Sequence, residues 1–314
     1  MNISALWEKS TLLLMSRSGI KAERLSMPPY EMSALTLKSD LLKRVSKSQV
    51  KSRVVCVHGL GSSAAAYASL MPHLVGYWRE VWAPSAPSHG MSPPLPIPSR
   101  QEEDETDQVS SSKRFQSMIY NAWERCLLEL SHNEPIDLLG VSLGGAIVIR
   151  FTARYPDRVS SVMLCSPAGA ILDEADIEHL KSVFSMDLPG DGLRFLKTLY
   201  HRLPWWSRLL APLVRFNLSR PEAQNLINDL TPGDGLKPNE FKDLNPPVLL
   251  VWGKRERVLP PTSLENLLKY APKELQLIQP DTFSHTPQKE SPKELAQYLI
   301  TFQERVELSQ AKHT

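Results

Sequence analysis

Apolar residues along the chain fall into short runs separated by longer stretches of helical period. Arg53-Val54-Val55-Cys56-Val57 is a β-branched run that stops at His58-Gly59, and residues 62–74 then read as a helix. A second strand at 80–83 is followed by a helix at 114–130, where Phe115, Met118, Ile119, Ala122, Trp123 and Cys126 recur at helical spacing. Strand 136–139, helix 143–155, strand 159–165, strand 248–252, helix 262–270, strand 275–278 and helix 289–306 complete the alternation. Such βα alternation predicts a mostly parallel sheet covered on both faces. Segments 22–27 and 32–37 precede any crossover helix, and predict an antiparallel hairpin on the sheet edge.

Two stretches break the pattern. Residues 92–112 join a Pro-rich piece, Pro93 to Pro98, to the acidic run Glu102-Glu103-Asp104-Glu105, which cannot bury apolar surface and predicts a mobile excursion. Strand signals vanish from about 168 to 241, leaving amphipathic pieces that carry Val183, Phe184, Phe195, Leu196, Leu199, Trp205, Trp206, Leu209, Leu210, Val214 and Phe216. The expected organisation is an amino-terminal arm at 1–21, a core formed by 22–167 and 242–314, and an inserted helical cap at 168–241.

Composition narrows the classes. A length of 314 residues accommodates one core domain and a smaller insertion, and a net charge of +2 gives no field for nucleic acid. Cys56, Cys126 and Cys165 are few, distant and set among apolar residues, which predicts buried thiols and a reducing, cytoplasmic setting. The amino-terminal apolar run 11–15 is too short for a signal or a membrane span. Residues 5–15, with Leu6, Leu13 and Leu14, read as a short amphipathic helix packed on the domain; the alternative is peripheral membrane contact through this arm or the cap.

Candidate chemistry centres on Gly140-Val141-Ser142-Leu143-Gly144, directly after a strand and opening a helix. A strained strand-to-helix turn needs small residues on either side of a nucleophilic serine, and Gly140, Gly144 and Gly145 supply them. Ser142 then lies at a helix amino terminus, where the Leu143 N–H favours developing negative charge. A second oxyanion donor is expected from His58-Gly59-Leu60-Gly61, with the Leu60 N–H as candidate.

A serine hydroxyl needs a base, and His285, after the last strand and before the last helix, is placed to be one. His58 and His89 read as turn or supporting residues. Glu256, alone in the loop after strand 248–252, is the leading carboxylate to orient His285, with Asp281 and Asp173 as alternatives and pairing to Arg255 or Arg257 as the competing role for Glu256. Phe195, Trp205 and Trp206 are candidates to line the acyl site. Neither a metal-ligand pattern nor a nucleotide fingerprint occurs, so catalysis without metal or cofactor is expected.

On these blocks the chain resembles the α/β-hydrolase superfamily from about residue 53 to 306. The matching residues are His58-Gly59-Leu60-Gly61, Gly140 to Gly145, Trp252-Gly253 with Glu256 and Pro260, and His285-Thr286-Pro287 with Glu290 and Pro292. The resemblance implies an eight-stranded, mostly parallel sheet flanked by helices, with a helical cap inserted after Cys165. Two positions depart from it: Glu256 stands at the usual Asp, and the usual D-x-P-G-H-G-x-S block reads Ser85-Ala86-Pro87-Ser88-His89-Gly90-Met91-Ser92. The arm and the cap piece 193–200 are similar to monoacylglycerol lipases and related bacterial lipases.

The expected function is therefore hydrolysis of a small-molecule or lipid-like carboxylic ester with an apolar acyl group, through an acyl-enzyme. The enzymatic alternative is a carbon–carbon bond hydrolase of ring-cleavage products using the same triad. The non-enzymatic alternative is a small-ligand receptor on the same fold.

Overall fold

A computed structural model describes residues 3–14, 18–39, 51–95 and 111–311. The chain begins with helix α1 (Ile3–Leu14), then β1 (Lys21–Met27) and β2 (Tyr30–Lys38), the expected antiparallel hairpin, with Leu25 opposite Met32. Strand β3 (Lys51–Val57), the short helix α2 (Met71–Leu74), β4 (Trp78–Pro84), α3 (Ser111–Leu130), β5 (Ile136–Val141), α4 (Leu143–Arg154) and β6 (Val159–Cys165) follow. The insertion comes next, with α5 (Glu174–Phe184), α6 (Asp191–Leu199), α7 (Ser207–Leu218), α8 (Pro221–Asn228) and α9 (Pro238–Lys242). Strand β7 (Val248–Val251), α10 (Ser263–Leu268), β8 (Gln276–Ile278), α11 (Pro287–Glu290) and α12 (Pro292–Ala311) close the fold.

The eight strands lie in the order β1-β2-β4-β3-β5-β6-β7-β8, with β3 to β8 parallel to one another. From β3 the chain moves to β4 on one side and returns to β5 on the other. The crevice beyond the carboxyl ends of β3 and β5 is thus the point where strand order reverses, the usual ligand position in open α/β sheets. Side chains alternate across the sheet. Val55, Val57, Leu138 and Val162 join a core with Trp123 of α3 and Ile147 of α4, whereas Val54, Cys56, Leu139 and Met163 join one with Leu74 of α2 and Leu299 of α12.

Two helices differ from expectation, and proline accounts for both. The helix expected at 62–74 is a 3-10 turn at Ala64–Tyr67 followed by α2, because Pro72 has no N–H to continue a single helix. The helix expected at 289–306 is split at Ser291, whose φ of −137° and ψ of 53° lie outside the helical region, as the residue before Pro292 requires. Cys56, Cys126 and Cys165 are buried and free, and burial pushes all three thiols up in pKa. Most of the Pro-rich and acidic excursion, residues 96–110, lies outside the described residues, as do the side chains of Leu6 and Leu14. Among the described residues no helix is long and apolar enough to cross a membrane.

Candidate active site

Ser142 sits between β5 and α4 with φ of 56° and ψ of −126°, a conformation that costs energy for any residue with a Cβ. Three backbone hydrogen bonds hold it: Ser142 N–H donates to Cys165 O at 3.2 Å, and the N–H groups of Gly145 and Ala168 donate to Ser142 O at 2.8 and 2.9 Å. At Gly144 a Cβ would collide with the carbonyl oxygen of Val57, so only glycine lets α4 start this close to β3.

The loop after β3 lies against the same serine. A Cβ added to Gly59 would stand 2.9 Å from Ser142 Cβ and 3.3 Å from its Oγ, so the segment leading to Leu60 passes beside the hydroxyl. Leu60 and Leu143 line the cavity at Ser142. His58 supports this loop from behind. Its Nε2 accepts from Ala86 N–H at 3.0 Å, which leaves the proton on Nδ1 to be donated to Gly59 O at 2.8 Å. Burial, reinforced by His89, holds the His58 imidazole down to a pKa of about 3, so it is a neutral strut. His89 donates to Pro87 O at 2.9 Å and stacks tilted on His58 at 5.4 Å. Both behave as the supporting residues expected of them.

His285 Nδ1 lies 2.9 Å from each oxygen of Glu256, and both side chains are only 5% exposed. The carboxylate also accepts from Val258 N–H at 2.8 Å and Leu259 N–H at 3.1 Å, and from the Ser166 hydroxyl. Burial alone would raise the Glu256 pKa, but the imidazole charge, the His285 N–H and the other donors outweigh it and hold the group at about 2. The competing carboxylates lie elsewhere. Asp281 is an exposed partner of Lys254 at 2.7 Å, and Asp173 caps α5 by accepting from Asp176 N–H at 2.8 Å. Arg255 and Arg257 bond the carbonyls of Asp281 and Tyr200 rather than Glu256.

Two cavities meet at Ser142 and Leu60. The narrow one, about 120 Å³, runs along α4 past Leu143 and Ala146 to Arg150, walled by Ile177, Leu180, Ile227 and Leu230. The broad one, about 930 Å³, carries His285 together with Phe195, Trp206, Leu213, Asn217 and Lys289. Phe195 and Trp206 thus line the broad cavity and not the narrow slot, and Trp205 lines neither. It is 86% exposed, turned to solvent because the turn entering α7 sends adjacent side chains to opposite sides.

Sequence reading missed Glu8. This residue of α1 is fully buried, accepting from the hydroxyls of Ser85 at 2.9 Å, Ser33 at 3.3 Å and Ser63, and from Met91 N–H. Ser85 in turn accepts from Ala64 N–H at 2.9 Å, just beyond the loop that carries Leu60. Burial raises the Glu8 pKa despite these donors. Glu8 stands beside Lys9, Ser10 and Thr11 in α1 and so reads locally as part of a polar face, since its partners lie 25 and 77 positions away.

A family model described as alpha/beta hydrolase fold matches residues 52–292. The chain is 25% identical over 231 residues to abhydrolase domain-containing protein abhd-5.2 of Caenorhabditis elegans, covering 72% of this chain and 45% of that protein. It is 24% identical over 259 residues to a pimeloyl-[acyl-carrier protein] methyl ester esterase of Neisseria meningitidis, covering 78% and 91%. The Lip1 crystal structure from Acinetobacter baumannii AYE superposes with a TM-score of 0.73 at 18% identity, covering 96% of this chain and 97% of that one.

Proposed function

Because the chain belongs to the alpha/beta hydrolase fold family, we propose that it is a serine-dependent hydrolase of carboxylic esters with apolar acyl groups. The observation that carries this reading is the buried Glu256–His285 pair, whose imidazole lines the same cavity as the strained Ser142. Ser142 Oγ attacks the carbonyl carbon while His285 Nε2 takes its proton, and Glu256 fixes the imidazole and stabilises its charge. The N–H groups of Leu60 and Leu143 receive the oxyanion. Collapse breaks the carbon–oxygen bond, the alcohol leaves with the proton from His285, and water repeats the sequence on the acyl-enzyme. Esters are also what the Neisseria relative is named for cleaving.

The two cavities give the substrate a direction. The departing oxygen must face His285, which lines the broad cavity, so the alcohol portion occupies that side and the acyl chain the narrow apolar slot along α4. From Ser142 to Arg150 the helix rises about 12 Å, the reach of a medium-length acyl chain. Residues 168–241 act as the cap over both.

Ser142→Ala should abolish labelling by a fluorophosphonate, and the unaltered chain should turn over nitrophenyl esters, tested beside a thioester, a monoacylglycerol and a ring-cleavage dienoate. Undiminished labelling of the variant sinks the nucleophile assignment. Turnover of the dienoate with no ester cleaved sinks the ester reading.

A further inference from the structure

Helix α7 has two apolar faces. Leu210, Leu213 and Val214 line the broad cavity, with Trp206 at the turn before the helix. On the other side Trp205, Leu209 and Phe216 are 86, 73 and 55% exposed, and with exposed Pro212 they follow a spacing of four, three and four residues, which places them along one side of the helix and its leading turn. An apolar stripe ending in a solvent-facing tryptophan has no role in the packing of an isolated domain.

Charge says what covers it. Between Asp191 and Glu222 the chain carries Arg194, Lys197, Arg202, Arg208, Arg215 and Arg220 and no acidic residue. Arg202 and Arg208 are exposed next to the stripe. Helix α1 packs against α7 and adds exposed Leu13 and Lys9. Apolar side chains flanked by cations, with tryptophan at the margin, suit the headgroup–acyl boundary of an anionic lipid surface. An acidic protein surface would match the cations but not the exposed Trp205, Leu209 and Phe216 beside them.

We propose that the outer face of α7 docks on an anionic lipid surface, so that the cavity on its inner face receives an apolar ester from the lipid. The second half of this statement rests on the ester-hydrolase reading; the docking does not.

The test uses the full chain in sedimentation with vesicles of phosphatidylcholine alone and of phosphatidylcholine mixed with phosphatidylglycerol. The chain should pellet with the mixed vesicles, less so at high salt. The double variant Leu209→Ser, Phe216→Ser should lose at least about tenfold in bound fraction, while cleaving a soluble short-chain nitrophenyl ester as before. Arg208→Glu should weaken binding to the mixed vesicles only. Failure of the unaltered chain to pellet, equal pelleting of the double variant, or retention on immobilised acyl-carrier protein in place of vesicles overturns the proposal. Vesicle binding without hydrolysis of any ester would instead sink the ester-hydrolase reading and leave the docking face standing.

Discussion

The Glu8 carboxylate accepts a hydrogen bond from the Ser85 hydroxyl at 2.9 Å, joining the amino-terminal helix to a loop 77 residues away. Ser85 is where the resemblance led one to expect an aspartate. The carboxylate is present at that place in space, but it is delivered by α1. Because Ser85 also holds Ala64 N–H, and Ser63 donates to the same carboxylate, Glu8 braces the segment that follows Leu60.

Glu8→Ala should therefore leave several buried donors without an acceptor, at about 1–3 kcal/mol each, and lower the melting temperature by several degrees. Glu8→Gln separates shape from charge. The raised pKa means that stability tied to the protonated carboxyl is complete below the unfolded value near 4.5 and is lost as pH rises through the folded value. Urea unfolding across this range should show Glu8→Gln gaining on the unaltered chain as pH rises. An unchanging difference would mean that Glu8 titrates alike in both states.

Glu256→Gln should fold normally and lower kcat at least about 100-fold, a floor on the roughly 10⁴ lost when a serine protease triad acid becomes its amide. Asp281→Asn, which removes only an exposed partner of Lys254, should leave kcat unchanged. Steady-state kinetics on one nitrophenyl ester decides both, and a reversed order of losses would move the acid to Asp281.

His58 works in the opposite pH direction from Glu8. Its folded pKa of about 3 lies below the unfolded value near 6.5, so its contribution is complete above about pH 6.5 and drains away as pH falls toward 3. His58→Gln should cost stability at neutral pH but flatten the acid limb of the stability curve. If the limb keeps its slope, the proton uptake belongs to other groups.

The division between cavities should appear as separable specificities. Leu230→Trp, in the wall of the narrow slot, should penalise long acyl chains while leaving the ranking of alcohols intact; Leu213→Trp, in the broad cavity, should do the converse. One methylene in such a slot is worth about 1–3 kcal/mol. Paired ester series, one varying the acid and one the alcohol, would expose a reversed orientation as swapped effects.

Much of this arrangement was legible because it depends on local pattern. β-branched runs, the glycines around Ser142 and the order Ser142, Glu256, His285 each carry their own signal. What escaped depends on distance or direction. Nothing near Glu8 announces partners 25 and 77 residues away. Trp205 and Trp206 are identical in hydrophobicity, and only the placement of the turn before α7 sends one into the cavity and the other to solvent. The breaks at Pro72 and Pro292 were visible as residues, but periodicity ran through them.

The breadth of the cavity on the His285 side also bears on the fate of the proposed acyl-enzyme. A chamber of about 930 Å³ has room for many waters and for small alcohols beside them. A small alcohol that enters it has the same access to His285 as water. The proposed acyl-enzyme should therefore partition between acceptors by their concentration and nucleophilicity. In the presence of added methanol, methyl ester should form alongside free acid, giving the protein acyltransferase behaviour under conditions where water is scarce.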